Sequence, residues 1–412
     1  MRVLLLQSPT GRAEPRIYPL GLAYLAGALG DHRVEALDLA AEAEPKAVLD
    51  GSLRSFRPDV VAVSLRNIDD SAYPRTHSYV RPFARLVGWL EEFEGTVIAG
   101  GAGFSIYSAR ILRDHPRIDI GVVGEAEAVL PGLLRRLEHG ESPPRRLVRG
   151  ERRPLDRLPR PRYDVVDLSP YSMDYAVGVQ SRRGCPFGCR YCTYGYLGGR
   201  RFRMRPTEAV VEDIAELQRL GIGSFSFVDS VFNHPRDYMV ELVGKLESRG
   251  CGLRWSAWLD TDVEEKDLRL MARAGCDKVD FSPDALTGRG LRLLGKRGGF
   301  GETVRAARLA RSLGMFTTIN LFAGNPGEEG AGKLILKLLF MVWARLLLGP
   351  RSTVVHIGTI RVYAHSPMAD EMVASGRVSK DCDFYRPVFH RSRGAADLLY
   401  RFFQRVRSLR HG

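Results

Sequence analysis

The chain has 412 residues, with 61 lysines and arginines against 48 aspartates and glutamates and a formal net charge of +13. That length exceeds one average domain and predicts two or three, each able to bury its own core. The basic residues are dispersed and no aromatic-interleaved basic patch accompanies them, so no nucleic-acid partner is expected; the N-terminus "MRVLLLQSPTGR" lacks a signal-peptide core, so a reducing, cytoplasmic setting is.

The first 140 residues alternate strand and helix patterns. "RVLLLQSP", "VEALDLA", "VVAVSLRN", "TVIAGGAGF" and "IDIGVVGEAE" read as strands, with helical stretches such as "LGLAYLAGALGDH" between them. This alternation predicts a Rossmann-like parallel sheet with helices on both faces, over residues 1–140. Ligands bind at the carboxyl ends of such strands. Those ends carry Ser8 and Pro9, then Ser64, Leu65 and Arg66, then Gly100, Gly101 and Gly103, then Gly124, Glu125 and Glu127. The glycines either admit a large cofactor to the backbone or only make tight strand-to-helix turns.

Residues 141–172 contain "PPRRLVRGERRPLDRLPRPR", rich in proline and arginine without apolar periodicity, and read as a solvated linker. A second alternation follows over residues 173–370. Its strands are "YAVGVQ", "SFSFVD", "LRWSAW", "KVDFSP", "FTTINLFAG" and "VVHIGTIRVY", six βα units in a row. That is enough for a partial barrel and short of a closed eightfold one. Within it, "KLILKLLFMVWARLLLG" (Lys333 to Gly349) is interrupted by Lys333, Lys337 and Arg345, so it reads as an amphipathic helix packed on the domain with a basic edge; no membrane partner is expected. Residues 371–412 form a short C-terminal segment ending in a basic amphipathic helix pattern.

Three of the six cysteines, Cys185, Cys189 and Cys192, lie at spacing C-x3-C-x2-C in "GCPFGCRYCTYG", just after the first strand of the second series. Cys251, Cys276 and Cys382 are scattered and read as small buried apolar residues. Structural zinc normally takes four ligands from paired knuckles, and no partner pair is present. Iron–sulfur clusters are also held by thiolates, normally four, so three would leave one iron of a [4Fe–4S] cluster open.

This loop, opening a six-unit βα series and carrying Tyr191 before its last cysteine, resembles the hallmark of the radical S-adenosylmethionine (SAM) enzymes. The resemblance implies a [4Fe–4S] cluster on Cys185, Cys189 and Cys192, with SAM on the open iron, cleaved to a 5′-deoxyadenosyl radical. It also implies Asp229 and Asn233 in "FVDSVFN" near the methionyl end of SAM. Ser282 and Asp284 in "FSPDALTGRGLRLLGK" would reach the ribose, with Lys296 matching a recurrent lysine, and Gly324 and Pro326 in "LFAGNPGEE" would lie by the adenine. "IRVYAHSPM" resembles a sixth-strand motif but has Ala364 and Ser366 where the family places proline and threonine. For each of these polar residues a structural role at the barrel rim is the alternative.

A Rossmann-like domain ahead of such a barrel resembles the cobalamin-binding subgroup of the family. There Ser64, Leu65, Arg66, Gly100, Gly101, Gly103, Gly124, Glu125 and Glu127 would embrace the cofactor. Arg66 follows the third strand where the cobalt's lower face would lie, and a tryptophan-methylating branch of the subgroup has an arginine there. Arg66 would disfavour a lower axial water, or else pair with Asp69 or Asp70. The implied function is a cobalamin-dependent radical SAM methyltransferase. It would move a methyl from SAM via methylcobalamin to a carbon of a small-molecule or peptide natural product, with flavodoxin or ferredoxin as electron donor. Tyr363, His356 and His365 are candidates for a general base. The alternatives are a rearrangement, cyclisation or oxidation by the same two domains, and a metal-bearing binding protein without turnover. Substrate and oligomeric state are not legible.

Overall fold

The computed structural model describes every residue except Ala13, Ser142, Pro144, Ser172, Cys251, Pro350, Arg351 and 409–412. Of the scattered cysteines, Cys251 therefore lies outside the described residues, Cys276 is buried, and Cys382 is only half-buried.

The first sheet contains β1 (Arg2–Gln7), β2 (Arg33–Asp38), β3 (Val60–Ser64), β4 (Thr96–Gly100), β5 (Ile120–Val123) and β6 (Leu147–Arg149), in the order β2-β1-β3-β4-β5-β6. Every pairing in it is parallel. Its helices are α1 (Leu20–Ala28), α2 (Pro45–Phe56), α3 (Val80–Gly88), α4 (Ala102–Asp114) and α5 (Leu130–Glu138). The sequence dictates this arrangement because β1 and β3 are continuous apolar runs, buried along their length, as strands covered on both faces must be. The chain leaves β1 for β2 on one side and returns to β3 on the other, so the sheet's switch point lies between β1 and β3.

The run from Pro143 to Arg162 is not a solvated linker. β6 extends the first sheet beside β5, and Leu155, Tyr163 and Tyr171 are buried, each within a short 3-10 turn. The Tyr163 hydroxyl donates to the Gly178 carbonyl at 3.2 Å and Tyr171 to Asp38 at 2.6 Å. Single buried residues at irregular spacing produce no periodicity, which is why composition hid them.

The second sheet is built from β7 (Val177–Val179), β10 (Ser224–Phe227), β11 (Arg254–Leu259), β12 (Cys276–Asp284), β13 (Phe316–Phe322) and β14 (Thr353–Gly358), in the order β14-β13-β12-β11-β10-β7. Between β7 and β10 lie β8 (Arg182–Arg183) and β9 (Arg203–Met204), an antiparallel pair flanking the cysteine loop. The accompanying helices are α6 (Tyr194–Leu197), α7 (Thr207–Arg219), α8 (Arg236–Ser248), α9 (Glu265–Arg273), α10 (Gly288–Leu293), α11 (Phe300–Ser312) and α12 (Ala331–Leu347). After β14 come β15 (Ile360–Val362), α13 (Pro367–Ala374), β16 (Val388–His390) and α14 (Ala395–Ser408). Six sequential strands, each followed by helical structure and with the edges β7 and β14 unpaired with each other among the described residues, make the expected partial barrel. Its floor is an aromatic cluster in which Phe227 stacks on Phe232 at 4.4 Å and both meet Trp255, whose indole N–H donates to the Ala274 carbonyl.

The chain divides into two compact units. One comprises Met1–Asp70, Ser78–Gly184 and Leu197–Phe225; the other comprises Ser71–His77, Cys185–Tyr196 and Ser226–Gly412.

Candidate cofactor sites

In the first unit a cleft opens at the carboxyl ends of β1, β2 and β3, lined among others by Ser8, Pro9, Asp38, Leu65, Arg66 and Asn67. It therefore sits at the switch point, where α/β sheets bind ligands. Asp38 is buried there, its carboxyl pushed up by burial although Tyr171 donates to it. Arg66 is exposed on the cleft and pairs with neither Asp69 nor Asp70; Asp70 is taken by Arg12 at 2.8 Å. The Arg66 guanidinium instead acts on Asp38 across the same cleft, favouring the carboxylate.

The other strand-end residues divide by what they touch. Ser64 gives its carbonyl to the Ser8 N–H at 3.0 Å, and Leu65 is buried. A Cβ on Gly101 would lie 2.6 Å from the Leu65 carbonyl oxygen, and one on Gly103 would lie 2.8 Å from Asn67 backbone. Those two glycines let α4 cross closely over the loop after β3. Gly124, with φ at 86°, has nothing within 4 Å of its Cβ direction, and Gly100 meets only the Val122 carbonyl, at 3.5 Å; these leave room at the backbone. Glu125 and Glu127 are not free to bind a cofactor. Arg183 reaches Glu125 at 3.1 Å and Glu127 at 2.6 Å, and Arg203 also pairs with Glu125. The acidic loop after β5 thus grips β8 and β9, the two short strands that bracket the cysteine loop.

In the second unit the loop from Cys185 to Tyr196 is held at several points. The Arg190 N–H donates to the Leu294 carbonyl and its carbonyl accepts from the Met368 N–H at 2.8 Å, while its guanidinium pairs with Glu371. Gly295 is required because a Cβ there would strike the Gly188 carbonyl oxygen at 2.3 Å. The Tyr191 ring meets Phe322 edge-on at 5.1 Å, and its hydroxyl donates to Asp284. Asp284 also receives Lys296, whose ammonium donates to the Ser282 carbonyl at 2.8 Å. Burial works against the charge on Lys296, and Asp284 more than offsets it, holding the amine above the ordinary lysine range.

All three loop cysteines are free thiols. Burial pushes the Cys192 thiol up to about 11 although the Tyr194 N–H donates to its sulfur, and Cys189 and Cys185 add to the rise. The thiols therefore lie close enough to repel as thiolates, yet among the described residues no three ligating side chains converge on a single-ion cage. Three free thiols on one loop are a donor set that fits an iron–sulfur cluster.

Several of the expected ligand-contact residues have partners within the protein. Asn233 is fully occupied: its amide donates to the Asp260 and Asp262 carbonyls and its oxygen accepts from the Asp260 N–H. Asp284 is spent on Lys296 and Tyr191, so it pins the cysteine loop in place of reaching a ribose. Gly324 packs against the Ser392 backbone nitrogen, 2.2 Å from its Cβ direction. Asp229 is buried, and Ser282 and Pro326 are half-buried. The Tyr363 hydroxyl lies 2.7 Å from the Ser71 hydroxyl, under the Arg361 guanidinium. His365 stacks on Tyr196 at 4.0 Å, and His356 is half-buried in β14. Ser366, out of place in the family motif, caps α13 by accepting from the Ala369 N–H.

One network was not foreseen. The Lys337 ammonium, fully buried, contacts Glu328 at 2.6 Å, Asn325 at 2.6 Å and the Phe322 carbonyl at 2.6 Å; Glu328 in turn accepts from the Leu286 and Thr287 N–H groups. It ties the loops after β12 and β13 to α12. The expected basic edge of that helix is therefore wrong at Lys337, which points inward. The signal available was the acidic "GEE" nine residues before it.

Both halves of the chain match known domain families. Residues 9–134 match the B12 binding domain and residues 179–331 the radical SAM superfamily. The chain is 26% identical to an uncharacterized methyltransferase of Pyrococcus horikoshii over 357 residues, 80% of this chain and 75% of that one. It is 29% identical to the hopanoid C-3 methylase of Methylococcus capsulatus over 331 residues, 75% of this chain and 61% of that one. In fold it is similar to a radical SAM methyltransferase of Kitasatospora setae solved with tryptophan and a SAM analogue, with a TM-score of 0.79, 23% identity, and coverage of 91% of this chain and 76% of that one. A second structure of that enzyme, with cobalamin and a [4Fe-4S] cluster bound, aligns with a TM-score of 0.77.

Proposed function

We infer that the chain is a member of the radical SAM superfamily with a B12-binding domain ahead of its radical SAM domain. From that premise we propose that it is a cobalamin-dependent radical SAM C-methyltransferase acting on a small-molecule or peptide substrate. The reading rests above all on three half-buried free thiols that share one loop, in a chain whose other domain opens a cleft at its switch point. When bound, the cluster with SAM supplies a hydrogen-abstracting radical and the cobalamin carries the methyl group.

The chain's own residues provide position. Cys185, Cys189 and Cys192 hold the cluster, and Tyr191, Asp284 and Lys296 keep their loop in place from the barrel side. Arg66, with Asp38 nearby in the same cleft, would present its guanidinium to a bound cobalamin. Gly100 and Gly124 leave the backbone open, while Asp229, Ser282 and Pro326 are the remaining candidates for SAM contact. Tyr363, with its Ser71 partner, is the candidate to hold a proton at its hydroxyl. A flavodoxin or ferredoxin supplies electrons, in a cytoplasmic setting.

Anaerobically reconstituted protein given SAM and a reductant should yield S-adenosylhomocysteine and 5′-deoxyadenosine. Arg66→Ala should diminish the first while leaving cobalt bound, and Cys192→Ala should abolish the second. Neither product from the wild type, or 5′-deoxyadenosine alone, would overturn the methyltransferase reading.

A further inference from the structure

The large apolar side chains that the protein leaves in solvent are concentrated on two helices. Of fourteen among the described residues, five lie on α12 and three on α14. Leu339, Val342 and Leu346 follow one another at intervals of three and four, so they form one outward stripe opposite the buried Leu334, Lys337 and Ala344. Leu346 is 77% exposed and Leu339 59%. On α14, Leu398, Phe402 and Val406 repeat every four residues, with Leu398 and Phe402 each 66% exposed. The two helices pack against each other. A helix that is apolar on both its inner and outer faces is normally covered on both.

Charge says what covers this one. α12 contains no acidic residue, and exposed Arg345 adjoins Leu346 at the end of its stripe. On α14, exposed Arg401 and Arg405 stand beside Leu398 and Phe402. Its sole acid, Asp397, is buried, pairs with Arg391 at 2.7 Å and more loosely with Arg401 at 3.8 Å, and accepts from the Tyr73 hydroxyl at 2.9 Å, so Arg405 and Arg345 are the cations of this face that it does not engage. We propose that the joined outer faces of α12 and α14 dock on an anionic phospholipid surface. Apolar side chains enter the acyl boundary, and the long arginine stems reach back to the phosphates. A second copy of the chain fits less well, because a two-fold contact through this face would set its cations against themselves. No helix among the described residues is long and apolar enough to cross a membrane, so the contact is peripheral.

The test is co-sedimentation of the full chain with vesicles of phosphatidylcholine alone and of phosphatidylcholine mixed with phosphatidylglycerol. Binding is expected to the mixed vesicles and to weaken as salt is raised. The pair Leu339→Glu and Phe402→Glu should lower the vesicle affinity about tenfold or more. The pair Arg401→Gln and Arg405→Gln, which spares the apolar stripe, should lower it roughly fivefold per charge. All four positions are exposed, and unchanged thermal melting verifies the fold. The proposal is overturned if the wild type ignores both vesicles, if the variants bind as the wild type does, or if the chain is a dimer that Leu339→Glu disperses without any vesicle binding.

Discussion

Asp284 ends β12 with a φ of 68°, a left-handed conformation that costs an aspartate less than most side chains but still strains the strand end. The gain is a buried carboxylate aimed at both Lys296 and the Tyr191 hydroxyl, and so a fixed cysteine loop. The spacing of Cys185, Cys189 and Cys192 was fully legible, because adjacent thiols on one loop are a local pattern. The partnership of Asp284 with Lys296, twelve positions on, was not, since only the folded turn and α10 bring them together. His390 is the residue through which pH should act on stability. Its Nδ1 lies 2.9 Å from the Gly324 carbonyl and its Nε2 2.6 Å from the Arg377 guanidinium. Burial, with Arg377 adding to it, holds the imidazole below its ordinary 6.5. Below that pH the unfolded chain binds a proton that the folded chain refuses, so stability is complete above 6.5 and falls as pH drops toward the folded-state value. Denaturation midpoints measured from about pH 7.5 to about pH 5 should decline in the wild type and decline less in His390→Gln. An identical slope in both would contradict this assignment.

Among the elements, α12 departs furthest from its sequence reading. Lys333 and Lys337, one turn apart, looked like one polar edge, yet Lys333 is half-exposed and Lys337 fully buried. The burial of Lys337 is compensated by Glu328, which arrives from a different element, so helical periodicity alone could not reveal it. Removing one partner leaves an uncompensated buried charge: Lys337→Met should destabilise the protein by about 3–5 kcal/mol. Replacing both, Lys337→Met with Glu328→Gln, should recover much of that loss, because the desolvation of two ions disappears with the pair. Urea denaturation of the three proteins measures this, and a single variant as stable as the wild type would refute the role given to the pair. The strands of the two parallel sheets, by contrast, are legible in order from their apolar runs, except that "VVHIGTIRVY", which reads as one strand, divides into β14 in the barrel sheet and β15, which pairs antiparallel with β16. β6 was missed because a three-residue strand in an arginine-rich run carries no such signature.

At the scale of the whole molecule, order along the chain carried most of the information. Five strands alternating with helices, then six more βα units with three clustered cysteines just after their first strand, specify two α/β domains with a cluster loop at the head of the second. What remained hidden was how the first unit holds β8 and β9, the strands flanking that loop. Glu125 and Glu127, read as cofactor contacts, instead bind Arg183 and Arg203. An ion-pair network between segments some sixty residues apart leaves no trace in local pattern. This one chain is proposed to hold both a cysteine-bound iron–sulfur cluster and a cobalamin. Metal analysis of protein reconstituted anaerobically with iron, sulfide and hydroxocobalamin and then desalted tests this. About four irons and about one cobalt per chain are predicted, with Cys192→Ala losing iron but retaining cobalt. Iron bound without cobalt, or a single zinc in place of the cluster, would contradict it.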